Sequence, residues 1–180
     1  MTSAAPAVIL TGPPGVGKTT AARLLSRQFG PGAHLESDTF FHFITSEYVE
    51  PWLPESHEQN ALVMRIVGEA AASYAAAGYF TVVEGIVIPR WFLGTLRDTL
   101  GAAGIEVAYA VLRAPRELCL DRLAAREGAA LPDPEAMAGI WEQFADLGEY
   151  ESHALAVEGM HPDEVAATLA RRLVDGELRL

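Results

Sequence analysis

Lysine is almost missing from this chain. Of its basic residues only Lys18 is a lysine, and the other twelve are arginines. Cysteine is equally scarce. Cys119 stands alone, which excludes an intramolecular disulfide framework and fits a reducing compartment such as the cytosol. Positive charge is in short supply too, and the formal net charge is -11. Nucleic-acid binders present basic surfaces, so no nucleic-acid partner is expected. No hydrophobic run approaches the length of a membrane span. Met1 to Pro6 lacks a charged leader segment, and the apolar run behind it is too short for a signal peptide. The five histidines show no metal-ligand spacing, and no internal repeat is visible. What remains is a chain of 180 residues, half of them hydrophobic. That is enough for one domain, residues 1–180, with a proper core.

The one lysine sits in the stretch Gly12-Pro13-Pro14-Gly15-Val16-Gly17-Lys18-Thr19. It fits the phosphate-binding pattern G-x-x-x-x-G-K-[ST]. An apolar β-type run, Ala7 to Leu10, precedes it, and a helical stretch from Gly17 to Phe29 follows. Glycines let the backbone curl so that successive N–H groups point at a phosphate. The helix start adds unpaired N–H groups and the positive end of a dipole. Lys18 is expected at the β- and γ-phosphates and the Thr19 hydroxyl on Mg²⁺. Gly12 through Thr20 are therefore the expected nucleotide-binding residues, with ATP as the nucleotide. The bland alternative is a glycine turn capping an ordinary helix.

The rest of the chain alternates. Ala33 to Glu36, Tyr79 to Glu84, Ile105 to Leu112 and His153 to Val157 read as further strands. Helices are expected over Ala61–Ala77, Arg90–Leu100, Pro115–Glu127, Glu135–Tyr150 and Pro162–Val174. Glu50 to Asn60, with Pro51 and Pro54, reads as a loop. Gly128 to Pro134 breaks the helical pattern, and about 126–134 is expected to act as a lid. Such alternation argues an α/β fold with a parallel sheet covered on both faces. Ligands in these folds bind at the carboxyl ends of strands. That rule gathers the glycine loop, Asp38, Glu84 and Arg113 at one sheet edge.

Glu84 closes an apolar strand, where an acid can hold the magnesium shell directly or through a water. Its bland reading is a strand-end acid facing solvent. Asp38 follows the second strand and is a candidate base for an attacking hydroxyl. Ser37 and Asp38 are also good helix N-caps, and spacing alone does not separate the two readings. Arg122 and Arg126 lie four apart on one helix face, placed to clamp a phosphate or stack on adenine, or else simply solvated. Arg90 is expected to overhang the site from the third strand. Phe40, Phe41, Phe43, Tyr48 and Trp52 cluster without clean helical periodicity. They suggest a partly open apolar pocket, with Phe41, Trp52 and Arg90 on the substrate side; plain packing is the alternative. Cys119 reads as a small core residue.

With those residues in place, the chain resembles the small P-loop kinases of the nucleoside-kinase type. Within them it is similar to the chloramphenicol phosphotransferase-like and zeta-toxin-like proteins of the AAA-family ATP-binding group. The likeness rests on Gly12–Thr19, Ser37-Asp38, Val83-Glu84-Gly85 and the Arg122/Arg126 helix. It implies a five-stranded sheet of order 2-3-1-4-5, a lid over ATP, and Asp38 as catalytic base beside Lys18 and Arg126. The chain departs from the group's pattern in having Glu84-Gly85 where Asp-Gly is common, which bears on the metal shell. About 38–60 would form the acceptor side. The expected activity is Mg²⁺-assisted transfer of phosphate from ATP to a hydroxyl of a small, partly apolar molecule: an antibiotic, a nucleoside-like compound or a sugar derivative. The competing expectation is a regulatory ATPase switch with a protein partner.

Overall fold

The computed structural model describes residues 4–125 and 134–180, and for 134–137 the backbone alone. Five strands line up in parallel: β1 (Ala7–Thr11), β2 (Gly32–Glu36), β3 (Phe80–Gly85), β4 (Val107–Arg113) and β5 (Ala154–Ala156). Their order across the sheet is β2-β3-β1-β4-β5. Around them pack α1 (Lys18–Leu25), α2 (Ser37–Phe41), α3 (His57–Ala76), α4 (Leu93–Ala102), α5 (Arg116–Ala124), α6 (Pro134–Gln143) and α7 (Pro162–Val174). No helix of the described residues is long and apolar enough to cross a membrane.

β1, at the centre, is buried along its whole length, as a strand covered on both faces must be. Its side chains alternate between two cores. Ile9 joins Val83, Tyr109 and Val111 beneath α3 and α4, through Val67, Leu96 and Leu100. Val8 and Leu10 join Val82, Ala110 and Leu112 beneath α1 and α7, through Leu25 and Leu169. Each of the Val, Leu and Ile side chains among these, fully buried, contributes about 1.5–3 kcal/mol of transfer free energy. The register sets Leu10 beside Glu84 and Glu36 beside Glu84. The ends of β1, β2 and β3 therefore come level at one edge.

Several boundaries differ from the sequence expectation. α1 stops at Leu25, four residues before Phe29; Phe29 instead lies against the ring of Phe80, 4.6 Å away. The Glu50–Asn60 stretch is not all loop. It holds a 3₁₀ turn at Pro54–Ser56, and α3 begins at His57. α4 starts at Leu93, because Ile88 and Trp91 exchange two backbone hydrogen bonds in a tight turn (3.1 and 2.8 Å). The helix expected over Glu135–Tyr150 divides into α6 and a 3₁₀ turn at Gly148–His153. Gly148, at φ 60, ends the intervening bend with its N–H donated to Asp146 Oδ1 (2.9 Å).

Candidate active site

The loop between β1 and α1 is built on glycine. Gly12, Gly15 and Gly17 have φ of 150, 82 and 104, values that L side chains rarely adopt. Space is tight as well. A Cβ on Gly12 would meet Leu112 O at 2.5 Å, and one on Gly15 would meet Cys119 O at 2.3 Å. The loop thus lies pressed on the end of β4 and on α5. Cys119 is fully buried there, and burial pushes its thiol up, as expected of a core residue. Lys18 reaches back over the loop, its Nζ donating to Gly12 O (3.0 Å) and Pro13 O (3.3 Å). From α5, Arg122 donates to Val16 O (3.1 Å), so this arginine touches the loop itself.

The Thr19 hydroxyl donates to Glu84 Oε1 at 2.7 Å. Glu84 is 2% exposed. Burial pushes its carboxyl up; the Lys18 charge and the Thr19 hydrogen bond pull it back, and Glu36 and Asp38 push it further up. His34 on β2 comes within 4.0 Å of the same carboxylate. Burial holds the imidazole below its ordinary value, so His34 faces Glu84 as a neutral ring. Magnesium prefers oxygen ligands in an octahedron with bonds of about 2.1 Å, which sets neighbouring ligands about 3 Å apart. The Thr19 and Glu84 oxygens, 2.7 Å apart, fit that spacing. Among the described residues no cluster of three or more His, Cys, Asp or Glu could hold a metal alone. The donor set therefore suits a cation that keeps waters and phosphate oxygens.

Asp38 occupies the first turn of α2, is exposed, and makes no capping bond; Glu36 is in the cap position, with no side-chain hydrogen bond. Ser37 is buried directly above Gly85, where an added Cβ would lie 2.0 Å from the Ser37 Oγ. Asp38, Lys18, Thr19 and Glu84 all line one cavity of about 420 Å³. Phe41 at the end of α2, and Tyr48, Glu50 and Trp52 from the chain that follows it, line the same space. Phe43 does not; it is 70% exposed and meets the edge of Phe40.

Asn60, the last residue of the expected acceptor side, completes the walls together with residues that the sequence did not single out. Asn60 and Met64 enter from α3, Ile86 from the end of β3, and Trp91 and Phe92 from the tight turn before α4. The turn is pinned from below. Thr11 Oγ1 accepts from Val87 N–H (2.9 Å), and the buried Tyr109 hydroxyl donates to Val87 O (2.8 Å). Trp91 and Phe92 stack at 4.9 Å. The Pro89-Arg90-Trp91-Phe92 run after a strand is a signal that a search for aromatic walls would have caught. Arg90 itself is exposed and lines a different depression, with Glu142 and Asp146. Arg113 is held in a two-pronged pair with Glu151, at 2.8 Å on each side. Arg126 and the lid expected at 126–134 lie outside the described residues, save Pro134, the first residue of α6.

A family model described as an AAA domain matches residues 8–146. No curated protein matches the sequence significantly. Among solved structures, the Mycobacterium tuberculosis APS kinase CysC in complex with AMPPNP and APS is similar over 95% of this chain and 98% of its own, with 19% identity and a TM-score of 0.70. A sugar kinase from Janibacter sp. HTCC2649 is similar over 94% and 95%, with 21% identity and a TM-score of 0.69. The Deinococcus radiodurans tunicamycin resistance protein is similar over 94% and 95%, with 23% identity and a TM-score of 0.65. At these identities the likeness is one of fold, that of the small P-loop kinases.

Proposed function

The chain belongs to the AAA domain family, and from that premise we propose that it is an ATP-dependent phosphotransferase acting on a hydroxyl of a small, partly apolar molecule. The whole of 1–180 acts as one kinase-like unit, with 38–60 as its acceptor side. One observation carries this reading: the phosphate loop and Asp38 share a single cavity with aromatic walls. A nucleotide switch needs the loop but has no use for an aromatic-walled space beside a carboxylate.

In this mechanism the loop from Gly12 to Thr20, through the N–H groups of its residues other than Pro13 and Pro14, and the Arg122 side chain hold the triphosphate. Lys18 trades its carbonyl partners for β- and γ-phosphate oxygens and neutralises charge as it builds. Thr19 and Glu84 would hold Mg²⁺, which would supply positive charge to offset that building on the phosphates. Asp38 accepts the acceptor hydroxyl's proton. The acceptor oxygen forms its bond to the γ-phosphorus as the bond from that phosphorus to the β,γ-bridging oxygen breaks, and the electron pair leaves with ADP. Phe41, Trp52 and their neighbours exclude water and hold the apolar part of the acceptor.

The test is a phosphoryl-transfer screen with labelled ATP against small hydroxyl compounds, with Asp38→Asn in parallel. A labelled product is expected, with kcat lowered about 10²–10⁴-fold in Asp38→Asn and ATP affinity nearly unchanged. ATP hydrolysis that no acceptor diverts, equal in both proteins, would overturn the reading in favour of a regulatory ATPase.

A further inference from the structure

Asn60 is 1% exposed and lines the cavity. Its amide orientation is fixed by its neighbours. Nδ2 donates to Pro51 O (2.7 Å) and to Ser56 Oγ (2.8 Å), and a carbonyl oxygen can only accept. Both amide protons are therefore used. The other end, Oδ1, is buried with no hydrogen-bond partner. Buried polar groups in folded proteins are nearly always satisfied, so this oxygen calls for a donor that the described protein atoms do not supply.

The charges around the cavity make the same demand. Glu36, Asp38 and Glu50 line it beyond the phosphate loop. Among the described lining residues the one fixed cation is Lys18, which belongs to the loop. The arginines nearby do not serve the acceptor: Arg122 sits with the phosphate loop on Val16 O, Arg113 pairs with Glu151, and Arg90 lies in a separate depression. Tyr48 registers the grouping of carboxylates. Its phenol is pushed up by burial first, then by the charges of Glu50 and Asp38. Tyr48, Trp52, Trp91 and Phe92 line the same space, and aromatic faces attract cations.

An acceptor carrying a carboxylate or a phosphate would enter against three carboxylates, and the described lining offers it no arginine or lysine apart from the Lys18 of the phosphate loop. An acceptor carrying an ammonium group would meet carboxylates, aromatic faces and an oxygen in need of a donor. Resting on the phosphotransferase reading above, we propose that the phosphate acceptor is a protonated amino alcohol with an apolar or aromatic body. Its ammonium group is held by Glu50 and the aromatic faces, and its body lies between Trp52 and Trp91. An N–H or O–H of the acceptor satisfies Asn60 Oδ1. The ammonium keeps its proton throughout the transfer; only the hydroxyl proton moves, to Asp38.

Three matched probes test the proposal: protonated 2-amino-1-phenylethanol, neutral 1-phenylpropan-1-ol and anionic 3-hydroxy-3-phenylpropanoate. Each has a benzylic hydroxyl and a side arm of similar size. Binding is measured by calorimetry with Mg²⁺ and a non-hydrolysable ATP analogue present, and transfer is measured separately with labelled ATP. The cation is expected to bind about tenfold more tightly than the neutral probe, and the anion more weakly than either. Glu50→Gln, a change at an exposed residue, should narrow the gap between cation and neutral probe. The proposal is overturned if the anion binds as well as the cation, if cation and neutral probe bind alike, or if the cation does not bind at millimolar concentration. Selective binding of the cation with no transfer to any probe would keep the charge preference and sink the kinase reading instead.

Discussion

The Thr19 hydroxyl and the Glu84 carboxylate meet at 2.7 Å, tying the first turn of α1 to the end of β3 across 65 positions of sequence. The parallel register brings them together, since Leu10 of β1 lies beside Glu84 and the loop turns back directly above. Glu84 is a buried acid, and burial raises its pKa. Replacing it by Gln keeps the shape and an oxygen for Thr19 while removing a charge that is costly to bury. Glu84→Gln should therefore keep or raise the thermal midpoint. It should weaken divalent-cation binding in the presence of an ATP analogue by about 10–100-fold, the usual worth of a residue that orients or holds a metal. Manganese titration followed by electron spin resonance reads this without turnover. Unchanged affinity would remove Glu84 from the metal shell.

Lys18 offers a second separation of fold from chemistry. Its bonds go to Gly12 O and Pro13 O, while the loop's shape is set by glycines at positive φ and by its contacts with β4 and α5. Lys18→Ala should fold normally and lose about 10²–10³-fold in kcat/KM, as when a fixed donor to a developing charge is deleted. Lys18→Arg should also be impaired, because a planar fork does not replace a compact ammonium. Nucleotide titration and circular dichroism together check both claims. Full activity in Lys18→Ala would remove the loop from the active site.

The parts of the fold written in local pattern were legible. Ala7–Leu10, the glycine loop and Tyr79–Glu84 could be placed because apolar runs and glycine spacing are properties of neighbouring residues. The strand order came through resemblance, since nothing local says that β3 lies between β2 and β1. The misread positions are those whose partners lie elsewhere in the chain. Prolines 51 and 54 suggested loop down to Asn60, yet Asn60 bonds to Pro51 O and Ser56 Oγ from inside α3. Trp91 and Phe92 were hidden in an expected helix. The Ile88–Trp91 turn and the positive φ of Phe92, 69, hold both outside α4. Arg113 stood at the sheet edge with no partner visible in the sequence, because Glu151 is 38 residues away.

That Arg113–Glu151 pair makes acid stability measurable. Glu151 is held down at about 2 from an ordinary 4.5, chiefly by the Arg113 hydrogen bond and next by the Leu147 N–H. A carboxyl with a depressed folded-state pKa stabilises above its unfolded value and loses that contribution as the pH falls through the folded one. The loss should appear between about pH 4.5 and pH 2. Glu151→Gln should flatten this part of a curve of urea midpoint against pH and leave its shape near neutrality unchanged. The pair is solvent-facing, so high salt should shrink the effect. An identical acid limb in the variant would show that the bond does not persist in solution.

Gly85 connects the packing of the sheet to the placement of the candidate base. It ends β3, and a Cβ there would lie 2.0 Å from Ser37 Oγ and 3.0 Å from Ser37 Cβ. Ser37 is 2% exposed, so it has little room to retreat except by shifting the start of α2, and Asp38 is the next residue. Gly85→Ala should destabilise by about 1–3 kcal/mol, the usual cost of overpacking. It should also lower kcat while leaving ATP affinity near normal, because the phosphate loop is not in the clash. Gly101→Ala in α4, where nothing lies within 4 Å, is the control; it should stabilise by about 0.5–1 kcal/mol, as alanine replaces glycine in a helix. Adding Ser37→Gly to Gly85→Ala removes both clashing atoms and should restore part of the lost stability, a coupling that a double-mutant cycle measures directly. Recovery of stability with kcat still low would mean that Ser37 itself is needed to hold α2. If Gly85→Ala leaves kcat intact, the close approach of β3 to Ser37 does not set the position of Asp38.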